Sequence, residues 1–354
     1  MRKIVYTYSD GVNSTTKCRT LARIFSFCLL FIGIGQSKTF ANGIQHYVFF
    51  GMERQGIHNA TFLGTKAIVG AQLKYTWREL EPEQNSYDFS AVRKDLAFLK
   101  SKKKKLFIQI QDVTFSSSFV CVPKYLLNDN RFHGGADKQY SINGDDEERA
   151  VVEGWVARRW DGAVQERFHK LLFALGKEFD GKIEGINLAE TAVGFGESGR
   201  LFPKGFTPAV YRDAVLMNMA ALKRAFPKSV TILYANFMPG EWLPEQDRHY
   251  LRSVYQRARE LKVGVGGPDL LPYKPGQMKH SYPLIRASHG IIPTGIAVQE
   301  GNYESKNPKT GKPMSVAELM AFAQDYLKVD YLFWGTQEPF YSKKLIPFLS
   351  SIPG

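Results

Sequence analysis

The sequence predicts an α/β chain folded as a single (β/α)8 TIM barrel with a long loop after the third strand. Three observations carry that prediction. Short β-branched or aromatic runs alternate with longer stretches of helical period from residue 42 onward, the runs number eight, and the 313 residues they occupy suit one such barrel. A doubly wound sheet is the rival architecture. No Gly-rich phosphate turn follows any strand, which excludes dinucleotide and P-loop chemistry.

Taken in chain order, residues 1–41 stand apart. Lys17, Arg19 and Arg23 precede an apolar run from Ile24 to Ile34, and Thr39-Phe40-Ala41 places small residues at positions −3 and −1 of a signal-peptidase site. Eleven apolar residues fall short of the roughly 20 that span a bilayer. The expectation is a signal peptide over 1–41, cleaved after Ala41, and a catalytic barrel over 42–354 that is exported to the periplasm or the extracellular space with no stable membrane insertion. The full 354 residues carry 47 basic and 34 acidic side chains, or +13, whereas the mature chain carries 41 and 33, or +8. Cys18 and Cys28 leave with the leader, so Cys121 remains and no internal disulfide forms.

Strands are expected near His46–Phe50, Ala67–Lys74, Leu106–Gln111, Lys182–Leu188, Val230–Asn236, Val263–Gly267, Gly295–Gln299 and Tyr331–Trp334. Helices between them carry their own signals. Asp161 starts a stripe of Phe168, Leu171, Leu172, Leu175 and Phe179 that Asp180-Gly181 stops; Thr207-Pro208 supplies a cap and a first-turn proline; Ser315 with Glu318 makes a capping box. The conspicuous insertion runs from Val113 to Trp160 and includes Arg158-Arg159-Trp160, and its length predicts a lid or wall of a binding site. Its Trp155 and Trp160 suit either a sugar-stacking rim or the local core of the insertion. Lys102–Lys105 forms the one dense basic run, expected as a solvated cluster at the N-terminal end of the barrel, away from any nucleic-acid role.

Catalytic groups of such barrels lie at the C-terminal ends of strands. Glu190 ends the fourth strand and Glu300 the seventh, and two carboxyls facing one central cleft suit glycosidic bond cleavage, one as general acid/base and one as nucleophile. Each taken alone is also a residue that caps a helix or pairs with an arginine. Glu197 and Glu304 are displaced into loops. The seven histidines show no metal-ligand spacing, neither H-E-x-x-H nor G-x-S-x-G occurs, and no metal or cofactor is expected.

With these residues in place, the chain resembles the retaining glycoside hydrolases of clan A. Trp77-Arg78-Glu79-Leu80-Glu81-Pro82 followed by Tyr87-Asp88-Phe89-Ser90, where Ser90 is placed to cap the next helix, is similar to a segment of the β-galactosidase-type families 35 and 42. Val122-Pro123-Lys124-Tyr125-Leu126-Leu127 is similar to the stretch those families place after strand three. The resemblance implies Glu190 as acid/base, Glu300 as nucleophile, and Trp334 as an aromatic floor for a sugar ring. Two features depart from it: Ala189 stands where an Asn precedes the acid/base, with Asn187 three residues before Glu190, and Ala71, Gln72 and Lys74 stand where a strand-two Arg is common. Asn187, Trp77, Gln109, Gln111, Asn236, Asp269 and Tyr303 complete the candidate substrate-binding set, Trp77 suiting the core as well as the cleft.

Two readings remain open. One is an exported retaining β-glycoside hydrolase acting on an oligo- or polysaccharide; the other is a catalytically silent glycan-binding barrel of the cell envelope. In both the partner is a carbohydrate, and Arg158-Arg159 in the long loop argues for an acidic glycan.

Overall fold

The computed structural model describes residues 43–142 and 146–352. The expected leader lies outside them. Eight strands form the frame: β1 (Gln45–Gly51), β2 (Ile68–Thr76), β3 (Lys105–Gln111), β4 (Gly185–Leu188), β5 (Val230–Tyr234), β6 (Gly264–Gly267), β7 (Thr294–Val298) and β8 (Tyr331–Gly335). Each pairs in parallel with its neighbours in chain order, and β1 bonds to both β2 and β8, so the sheet closes into a barrel. All eight expected strands are present, and with the helices outside them this is a (β/α)8 barrel.

The period of two splits the apolar residues into two cores. Tyr47, Phe107, Ile232, Tyr234, Ala297 and Phe333 fill the barrel interior, while Val48, Ile108, Ile186, Val298 and Trp334 point outward beneath the helices. The aromatic filling needs room, and glycine supplies it on one side. At Gly185 on β4 a Cβ would stand 2.4 Å from Cζ of the Phe107 ring, so the strand leaves that space to the aromatic.

The main helices are α1 (Ser90–Ser101), α2 (Gly162–Phe179), α3 (Pro208–Ala225) and α4 (Tyr250–Leu261). Asp161 caps α2 by accepting from the N–H groups of Ala163 and Val164, Thr207 caps α3 through Val210 N–H, and Ser315 with Glu318 closes both halves of a capping box. At α1 the expected cap is corrected. Ser90 is already helical, and the Asp88 carboxylate, one residue before Phe89, accepts its N–H at 2.9 Å.

The insertion after β3 folds as a small antiparallel sheet rather than an open loop. Val113–Thr114 and Ala136–Ser141 both pair with Val151–Ala157. Trp160 is local core, packed on Phe195 and Phe206, while the indole N–H of Trp155 bonds the Ser117 carbonyl. The lysine run is exposed at Lys102, Lys103 and Lys105, as expected, and is corrected at one position: Lys104 is buried with its ammonium on the Thr65 and Ile68 carbonyls, while Lys105 pairs with Glu184 at 2.9 Å. Two buried carbonyls beside a strand end satisfy a cation as water would.

Candidate active site

The C-terminal mouth of the barrel gathers polar side chains from β2 to β6. On β2, Gln72 and Lys74 share the inward parity. The Gln72 amide donates to the Asn187 side chain of β4 at 2.9 Å and to the Tyr234 hydroxyl of β5 at 3.0 Å, which makes a buried polar layer across the interior. The Gln72 Oε1 and Gln109 Oε1 acceptors in this layer have no partner among the described residues. Lys74 sets its ammonium 5.0 Å over the Phe49 ring, and burial lowers its pKa while Glu190 works the other way.

Glu190 follows β4 by two residues. The Asn236 side-chain amide, just past the end of β5, donates to its Oε2 at 2.7 Å. Burial lifts the Glu190 carboxyl to about 7; Asn236 lowers it, Asp269 raises it, and Arg159 and Lys74 lower it. The guanidinium of Arg159 also holds the Glu190 carbonyl at 2.7 Å and the Tyr211 hydroxyl at 2.7 Å, and it grips Asp112 with two bonds of 2.7 Å. A carboxyl poised near neutrality, fixed by a neutral amide and reachable from the barrel mouth, is equipped to give and take a proton at neutral pH.

Asp269, past the end of β6, has its pKa raised by burial while an Asn302 amide at 3.0 Å stabilises its anion. Asn302 also accepts the N–H groups of Leu270 and Gln299 at 3.0 Å each, tying the segments after β6 and β7 together.

Of the expected residues, the structure therefore brings Glu190, Asn236, Asn187 and Asp269 to one region. Glu300 occupies the matching height, two residues past β7, but its side chain is exposed and forms no hydrogen bond or ion pair with described residues. Gln111 turns its amide to the Val113 carbonyl, into the start of the inserted sheet.

The three expected aromatic contacts are corrected. Trp334 is fully buried, outside the barrel, with its indole N–H on His46 Nδ1 at 3.1 Å, because Tyr331 and Phe333 take the inward parity of β8. Tyr303 is buried against Phe340 with its hydroxyl on the Gly335 carbonyl. Trp77 packs on Phe168 and donates to Glu81 Oε2 at 3.0 Å.

That last contact explains the segment from Trp77 to Pro82. Glu81 is fully buried and takes the Trp77 indole, the Asn85 N–H at 3.1 Å and the Arg167 guanidinium of α2; Arg167 in turn reaches the Tyr125 hydroxyl at 3.1 Å. Trp77, Glu81 and Tyr125 fasten the segments after β2 and β3 to α2. Trp77→Phe keeps an aromatic ring against Phe168 but removes one donor from a buried carboxylate and some of the indole's volume from the core. The expected cost is about 1–3 kcal/mol, read as a lowered urea midpoint at unchanged slope.

Arg158 and Arg159 do not support the expectation of an acidic glycan. Arg159 is buried in its pairing with Asp112, and Arg158 is buried on Asp137 and on the His133 and Lys204 carbonyls, so neither presents charge to a ligand. The sequence reading missed two groups at the mouth, Lys74 as a neighbour of Glu190 and the exposed Trp242 after β5. The first had a signal: Gln72 and Lys74 stand two apart in an otherwise apolar strand.

The molecule is a (β/α)8 barrel with a buried carboxyl raised to about 7 just past the end of its fourth strand. The sequence matches no protein-family model and no curated protein. Among solved structures it is similar to xylanase XynB from Paenibacillus barcinonensis, crystallised with a conduramine derivative, at 14% identity and a TM-score of 0.49 over 84% of this chain and 85% of that one. The assignment of the barrel rests on the strand pairing itself. Among the described residues no helix is long and apolar enough to cross a membrane, and no cluster of His, Cys, Asp or Glu is placed to hold a metal ion.

Proposed function

We propose that the protein is a retaining β-glycoside hydrolase acting on an oligo- or polysaccharide. The observation that carries the reading is Glu190, a carboxyl held near pH 7 by burial at the mouth of the barrel with Asn236 fixed on it. In the first step Glu300 attacks the anomeric carbon while Glu190 passes its proton to the departing glycosidic oxygen. In the second, Glu190 removes a proton from water, whose oxygen bonds to the anomeric carbon and releases Glu300.

Asp269 supports a second assignment of the nucleophile within the same chemistry, since it is the carboxylate that acts electrostatically on Glu190. The silent-barrel reading draws on the exposed, unpartnered Glu300 side chain. Incubation with 2-deoxy-2-fluoro glycosides followed by peptide mapping separates the three. An adduct on Glu300 is the expected result, an adduct on Asp269 transfers the nucleophile to β6, and a protein that neither labels nor turns over aryl β-glycosides is a binder. Export belongs to the same proposal and rests on the apolar run Ile24–Ile34 and the small residues Thr39 and Ala41.

A further inference from the structure

Next along the chain from Asn236, which holds Glu190, the segment after β5 carries an aromatic pair that the proposed reaction does not use. Phe237 and Trp242 lie with their rings 9° from parallel and centroids 6.2 Å apart. Trp242 is 46% exposed, whereas Trp77, Trp160 and Trp334 are buried. With the segment after β4, these rings line a cavity of about 220 Å³ whose rim includes the exposed carboxylate of Glu197. That volume is below the roughly 300–1,000 Å³ of sites that enclose a drug-sized ligand, and it suits a single ring.

The platform is built from beneath. His280 is 2% exposed and meets Trp242 edge-on at 4.5 Å and Phe237 at 5.0 Å. Its Nδ1 accepts the Leu243 N–H at 3.1 Å, which assigns the proton of the neutral ring to Nε2, and Nε2 is buried with no partner among the described residues. An exposed indole braced in one orientation from below offers a fixed flat surface to the apolar face of a hydroxylated ring, whose hydroxyls point to the rim. The lining holds the carboxylates of Glu197 and Glu241 and no Lys or Arg, and Glu241 is occupied by the Tyr250 and Leu251 N–H groups. Glu197 accepts hydroxyl hydrogens and repels a carboxylated sugar.

We infer that Phe237 and Trp242 form a stacking subsite for one pyranose ring of a neutral glycan, beside the Glu190 carboxyl, so that the substrate is a chain extending over the segments after β4 and β5. The inference rests on the glycoside hydrolase reading for the bond that is cut, and on geometry alone for the binding. The test uses the full-length Glu190→Gln protein, titrated by calorimetry with cellohexaose, xylohexaose and mannohexaose. At least one hexaose is expected to give a saturable heat of binding. In the same background Trp242→Ala weakens that binding at least tenfold, and Trp242→Phe recovers most of it. In the active protein Trp242→Ala lowers the ratio of hexaose to aryl-monoglycoside kcat/KM by about tenfold. Affinity within twofold of the parent for Trp242→Ala, or no response to any of the three hexaoses, overturns the inference. Wild-type turnover by Glu190→Gln would remove the hydrolase assignment and leave the titration intact.

Discussion

Glu190→Gln is expected to lower kcat on unactivated glycosides by about 10²–10⁴-fold, the range a positioned proton donor supplies. In the wild type the donor must be protonated, so kcat falls tenfold per pH unit above about 7, where burial has put this carboxyl, and that limb disappears in the variant. Stability moves the other way. The folded pKa of about 7 lies above the roughly 4.3 of an unfolded glutamate, so the unfolded chain binds fewer protons between those values and stability drops as pH rises through them. Below that window the carboxyl is protonated in both states and the loss vanishes. A neutral amide in the same place carries no such burden, and at pH 8 the variant is expected to be more stable than wild type by on the order of 1–3 kcal/mol, with partial solvent contact keeping the figure below the full shift. A variant both dead and destabilised at pH 8 would contradict this account of Glu190.

The second large effect belongs to Arg159→Met. Arg159 and Asp112 are 6% and 5% exposed and joined by two bonds, and removing one partner leaves the other buried without compensation. The expected loss is about 3–5 kcal/mol from a total of about 5–15, measured by urea unfolding. Arg159→Met with Asp112→Leu removes both charges and is expected to recover most of it, because the stranded carboxylate is what costs. The single variant also carries a chemical signature. Arg159 lowers the Glu190 pKa, so its loss shifts the alkaline limb of residual activity upward. A variant that folds normally with an unmoved limb would mean that Arg159 neither supports the fold nor touches the proton donor.

The architecture was legible because each strand of a parallel barrel is a short apolar run between helical periods, and all eight were readable. Which residue of a run faces the cleft was not, for a reason intrinsic to the fold. Strands of such a barrel are apolar on both parities, so Tyr331-Leu332-Phe333-Trp334 gives no hint which side faces in. Position at a strand end gave Glu190 its height correctly; the same rule gave Trp334 the right height on the wrong side. Residue type misled at Arg158 and Arg159, since an arginine reads as charge at the surface until its buried partners Asp112 and Asp137 are known. Pairings such as Glu190 with Asn236 and Gln72 with Asn187 join residues 46 and 115 positions apart, and local pattern carries no information over such separations.

The contacts of Trp77 and Glu81 bear on how chains like this one are recognised. Trp77, Glu81, Tyr125 and Arg167 form one buried polar knot holding two connecting segments to α2, and no atom of it belongs to the proton-transfer site. A descendant that lost Glu190 would still need the knot to fold and would keep it under selection. The W-x-x-x-E-P segment therefore serves the scaffold, and its presence in a chain carries no information about the residue at position 190.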